Sequence, residues 1–267
     1  MRFNRTAAVV LRQIYLLRGS PARVLPIFAW VTIDIVLWGF LTKYLNASTA
    51  TSLNFVPMLL GAVLMWDFFT RVMHGTATAF LEDVWSRNFL NFFASPLSIS
   101  EYLAGLVLTS ILTSFVALVF MLLFATAAFG LSLFAYGSML IPFLMVLFLF
   151  GIALGIAGTA MVLRLGPASE WFIWPIPALF SPFAAVFYPV SVLPAWMRLI
   201  SRFLPPSYVF EGMRAIVAGK SASMSELLFA GGLAAVDILL AAWFFTGVYR
   251  RAVRTGLIAR YSAESVS

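Results

Sequence analysis

The chain has no cysteine, a single histidine and a charged fraction of only 10% over 267 residues. The first absence removes disulfide frameworks and thiolate chemistry. With His74 alone, a multi-histidine metal cluster is excluded. No Gly-x-x-x-x-Gly-Lys-Ser/Thr phosphate loop occurs; the glycine-rich run Gly151–Gly158 lacks the lysine and sits within an apolar stretch. The polar composition of a soluble domain is missing as well. Hydrophobic residues make up 63% of the chain and phenylalanine alone fills 27 positions, far from the globular average.

Six long apolar stretches account for that excess: Val24–Leu45, Phe55–His74, Ser98–Thr126, Tyr136–Leu163, Ala168–Pro189 and Glu226–Tyr249. At about 1.5 Å of rise per residue, each can cross a hydrocarbon core of about 30 Å. The sequence predicts an all-α membrane protein with six transmembrane helices in a single domain over residues 1–267. The net charge of +7 is laid out as a topology signal. With both termini cytoplasmic, twelve of the seventeen basic residues fall inside, from Arg2 and Arg5 through Arg164 to Arg254 and Arg260. Only Lys43, Arg198, Arg202, Arg214 and Lys220 fall outside. This is the positive-inside bias. Its natural partner is anionic membrane lipid, not nucleic acid.

Residues 1–23 are amphipathic. Phe3, Ala7, Val10, Leu11, Ile14 and Leu17 share one helical face, with Arg2, Arg5 and Arg12 opposite. They read as an interfacial helix, either a lipid anchor or a moving part of a gate. Ser98 with Glu101, and Ser223 with Glu226, match capping boxes ahead of spans three and six.

Two connections have functional character. Between spans two and three (residues 76–96), Glu82, Asp83 and Arg87 are interleaved with Trp85, Phe89, Leu90, Phe92 and Phe93, ahead of Pro96. That predicts a short amphipathic helix whose aromatic surface is covered by lipid headgroups or by another protein. Further on, eight of the thirteen prolines lie between Pro167 and Pro206, so span five is expected to kink. Within residues 193–220, Trp196, Leu199, Ile200 and Phe203 form one short apolar face; Val209, Phe210, Met213 and Ile216 form another. Both are too short to span and are expected as re-entrant or interfacial helices on the outer side. Glu211 and Arg214, at i and i+3, can pair with each other or contact a substrate. Residues 250–267 form a basic cytoplasmic tail.

In this order the segments resemble the permease subunits of type 2 ATP-binding-cassette exporters. The resemblance rests on Ser95-Pro96-Leu97-Ser98 followed by Glu101 and Gly105. It rests also on Pro189-Val190-Ser191-Val192-Leu193-Pro194-Ala195-Trp196, and on Pro205-Pro206-Ser207-Tyr208 with Glu211 and Arg214. The one departure is Pro-Pro-Ser-Tyr where the family more often has Asn-Pro-Leu-Thr. The resemblance implies two copies of the permease on two separate cytoplasmic ATPase subunits, which hold the ATP and Mg; the permease carries no cofactor and is not itself an enzyme. It also implies a multi-pass protein of the plasma membrane, in a bacterium the inner membrane. Coupling to the ATPase would fall to Glu82, Asp83, Trp85, Arg87, Phe89, Leu90 and Pro96. An outer gate would fall to Pro194, Trp196, Pro205, Pro206, Tyr208, Glu211 and Arg214.

Four charges remain within the spans. Asp34 and Asp237 lie near the middle of spans one and six. Carboxylates at that depth are costly, and each is either hydrogen-bonded to a neighbouring helix or functional. Asp67 and Arg71 are i, i+4 and are expected to pair, with Arg71 snorkelling. The competing class is a proton-coupled secondary transporter using Asp34 and Asp237. An integral-membrane enzyme would need clustered carboxylates or histidines, which the sequence does not offer.

Overall fold

The computed structural model describes residues 3–48, 55–86, 95–166 and 169–256, with no strand among them. α1 (Phe3–Arg18) precedes α2 (Pro21–Ser48), and a π turn at Val56–Leu60 leads into α3 (Gly61–Trp85). α4 (Ile99–Phe129) follows and then, after a 3-10 turn at Leu133–Met139, α5 (Leu140–Leu165). Four short helices, α6 (Glu170–Ile173), α7 (Ile176–Ala184), α8 (Ala195–Ser201) and α9 (Pro205–Val217), lead to α10 (Met224–Arg254).

Five segments are long and apolar enough to cross a membrane: Pro21–Ser48, Val56–Val84, Ile99–Phe129, Ala135–Leu165 and Met224–Arg254. They correspond to expected spans one to four and six. α3 departs most from expectation. It continues to Trp85, so residues 76–85 are its last turns and not part of a separate cytoplasmic helix. Burial extends it: Phe80, Leu81 and Val84 pack with Met73, Tyr102 and Leu163 in a core at this end of the bundle.

The fifth expected span, Ala168–Pro189, is not one helix. Its longest helical piece, α7, has 9 residues and contains Pro182, and Ala185 then turns the chain in the left-handed region, φ 52°. Pro175 and Pro177 flank the start of α7. Each proline removes a backbone donor, so the i to i−4 ladder cannot run through.

Contacts fix the relative directions. α4 is antiparallel to α3, with Ser110 Oγ donating to the Val72 carbonyl at 2.9 Å and Tyr102 beside Phe80. α5 is parallel to α3, with Phe69 stacked on Phe150 and Gly155 facing Met73 and Thr76. α10 runs along α5 in the same direction, since Phe150 shares a pocket with Asp237 and Arg164 a groove with Arg250. A parallel α5 and α10 require the intervening chain to return along them. It does so against α5: Ile173 faces Gly158, Phe180 meets Phe150 at 6.0 Å, and Arg214, bonded to the Val186 carbonyl, lies two residues from Gly212, which faces Phe143.

α3 is the central element. Of the residues in its most apolar stretch 67% are buried, against 18% for α2 and 22% for α10. α1 lies across the first turns of α4 and α2. It packs through Thr6, Val9 and Gln13, while Phe3, Leu11 and Ile14 of its apolar face stay exposed. Gly105 makes this approach possible, because a Cβ there would come within 2.6 Å of Val9.

Candidate coupling and translocation sites

At the basic end of the bundle the last turn of α3 and the first of α4 flank residues 87–94. Asp83 is buried, its side chain only 2% exposed. It accepts hydrogen bonds from Arg12 Nη2 at 2.6 Å and Nη1 at 3.1 Å, and from the Tyr102 hydroxyl at 2.7 Å. A bidentate guanidinium on a carboxylate is among the strongest of side-chain hydrogen-bond arrangements. Across the segment Glu101 pairs with Arg5 at 3.5 Å and closes the capping box with Ser98. Glu82, one residue before Asp83 but 38% exposed, meets Arg23 of α2 at 3.5 Å. Arginines from α1 and α2 therefore hold carboxylates on both sides of the connection. Arg87, Phe89 and Leu90 lie outside the described residues; Trp85 ends α3, and Pro96 is exposed in the turn before α4. The sequence does not reveal Arg12 and Tyr102 as the partners of Asp83, since they lie 71 and 19 positions away.

Along α3, Trp66, Gly75 and Ala79 are partly exposed, and the polar residues exposed to a similar degree are Asp67, Thr70, Arg71, His74, Thr78 and Glu82. Their spacing of three and four residues places them on one helical face. A hydrophilic stripe thus runs from mid-span to the basic end on the helix that is otherwise best buried. α2 lies beside it, antiparallel: Arg23 is level with Glu82, and Asp34 lies within electrostatic reach of Arg71 and Asp67. The expected Asp67–Arg71 pair is not closed to an ion-pair contact among the described residues. Asp67 Oδ2, Arg71 Nε and His74 Nε2 are buried without hydrogen-bond partners there. On the other flank the His74 ring lies 4.5 Å from Trp174. Towards the opposite end Trp38 of α2 stacks on Phe187 at 4.8 Å.

At that opposite end Glu211 and Arg214 pair at 3.1 Å and do more than pair. Glu211 accepts from the Val190 backbone N–H, and Arg214 donates to the Val186 carbonyl at 3.2 Å. The two residues clip α9 to the stretch that follows α7. Burial pushes the Arg214 guanidinium below its ordinary range, and Glu211 opposes the shift. Pro205 and Pro206 open α9 and are buried. The Tyr208 hydroxyl donates to the Arg202 carbonyl at 2.8 Å, and desolvation followed by the charge of Glu226 raises its pKa. Pro194 caps α8, where Trp196 and Leu199 are exposed, as is Phe203 just beyond it. Val209, Phe210 and Met213 of α9 are fully buried.

Asp237 stands apart from these groups. It lines a pocket of about 320 Å³ between α5, α7 and α10, among Phe150, Phe180, Phe203 and Phe244.

A bundle of five membrane-length helices and one broken segment, with a polar stripe open on its central helix, is the build of a multi-pass membrane transport domain. Residues 8–218 match the family model for the ABC-2 type transporter, and the chain belongs to that family. Among curated proteins no match is found.

Proposed function

We propose that this chain is the membrane-spanning permease subunit of an ATP-driven exporter. Two copies work on two separate ATP-binding-cassette ATPases, which supply ATP and Mg²⁺ from the cytoplasm. Family membership supports the class, and the polar stripe on α3 carries the mechanism. Ionisable side chains at membrane depth belong in a bundle interior or a wet cavity, not in lipid. The half-exposed stripe of α3 beside α2 therefore faces either a second copy or a water-filled path. A path between two copies satisfies both. In this reading the basic end is cytoplasmic, and the proline-broken segment 169–189 is the sixth crossing, irregular backbone being tolerated where protein covers it.

Coupling follows from the clamp. The segment bearing Trp85, Arg87, Phe89, Leu90 and Pro96 docks on the ATPase with Glu82. Asp83 and Glu101 act as positioning residues, passing the displacement through Arg12 and Arg5 into α1. At the outer end α8 and α9, with Pro194, Trp196, Pro205, Pro206, Tyr208, Glu211 and Arg214, form the exit gate. The ATPase drives the change only by binding the inward- and outward-facing states with different affinity.

The test uses the absence of native cysteine. Single cysteines at Thr70, His74 and Thr78 should react with a membrane-impermeant maleimide in inside-out vesicles, while one at exposed Leu239 of α10 should stay inert. Unreactive stripe positions would rule out a wet path on this face.

A further inference from the structure

We propose that the groove between the basic ends of α5 and α10 is a binding site for an anionic phospholipid of the adjacent leaflet. It encloses about 840 Å³ and is lined by Arg164 from α5 and, from α10, by Trp243, Gly247, Arg250 and Arg251 among others, with no carboxylate in the lining among the described residues. None of the three arginines enters an ion pair among the described residues. Trp243, Gly247 and Arg250/Arg251 stand at i, i+4 and i+7/i+8, on one face of α10. Trp243 therefore lies about 10 Å deeper along the helix than Arg250, and it is 77% exposed. At Gly247 nothing lies within 4 Å of the position a Cβ would take, so the groove stays open between its cationic mouth and its apolar depth.

That gradient selects the occupant. A phosphate at the mouth meets three guanidinium groups, and an acyl chain can lie past Gly247 against Trp243. Basic pockets between membrane helices are suited to lipid headgroups. A second copy meeting this face across a two-fold axis would set arginine against arginine. A soluble partner would not reach the depth of Trp243.

The purified permease would be titrated with phosphatidylglycerol and with phosphatidylcholine of the same acyl chains, and retained lipid read by native mass spectrometry. Phosphatidylglycerol should be held preferentially, and retention should fall about fivefold for each arginine replaced in Arg164→Gln, Arg250→Gln and Arg251→Gln. Gly247→Phe leaves the charge intact and fills open space, so it should lower retention with the melting temperature unchanged. Soluble glycerol phosphate should not compete. Equal retention of both lipids would overturn the site, as would full retention by Gly247→Phe or effective competition by glycerol phosphate. If removing residues 257–267 raised phosphatidylglycerol binding manyfold, the groove would belong to the chain's own tail and the lipid assignment would fail.

Discussion

Glu82 and Asp83 are neighbours in sequence with opposite fates, because a helix turns about 100° per residue. The Glu82 side chain is 38% exposed and the Asp83 side chain 2%. An exposed pair such as Arg23–Glu82 contributes about 0–1 kcal/mol. Glu82→Lys should therefore leave the unfolding transition nearly unmoved while weakening transport-coupled ATP hydrolysis by the complex; full coupling would remove Glu82 from the docking surface. Asp83→Asn keeps the shape but gives up the charge in three hydrogen bonds, and it should cost about 1.5–3 kcal/mol of stability, read by denaturant unfolding in detergent. An unchanged midpoint would show that the clamp is not structural. Asp34, Asp67, Arg71 and Asp237 could all be picked out as costly charges from sequence. The approach of Asp34 to Asp67 and Arg71 could not, because it depends on the register between α2 and α3, which no local signal encodes.

Elements were legible where one interaction dominates. Long apolar runs and the Ser98–Glu101 capping box place the start of α4 within one residue and its end within three. At Ser223 the serine accepts from the Glu226 backbone N–H, which is one of the two bonds of the expected capping box. The prolines of 167–206 announced an irregular segment, but not that it would break into pieces too short to cross singly. Cysteines there give a direct check: exposed Trp171 should be labelled only from the cytoplasmic side and Val190 only from outside, with Phe180 protected from both. Labelling of 171 and 190 from one side would mean that the segment turns back. α1 was legible as amphipathic, but its arginine face turns towards the protein, because buried carboxylates on α3 and α4 draw it there. Gly105→Leu should push α1 off α4 and expose Arg5 and Arg12 to trypsin, read as faster cleavage near the N-terminus. Unchanged cleavage would mean that α1 is not held at Gly105.

At the scale of the whole molecule, the chain is a family member with its polar groups unevenly placed. One face, α2 with the stripe of α3, is too polar for lipid, and a single copy leaves it half open. That geometry, together with the ion pairs on either side of residues 87–94, supports the proposal of two copies working on a separate ATPase. The second copy is an expectation carried by the family resemblance, and no local sequence signal encodes it. The most direct measurement is native mass spectrometry of the tagged protein, gently extracted from its host membrane with nucleotide present. The expected mass equals two copies of this chain plus two copies of a soluble ATPase. A well-preserved oligomer of this chain alone, still active in transport, would contradict it.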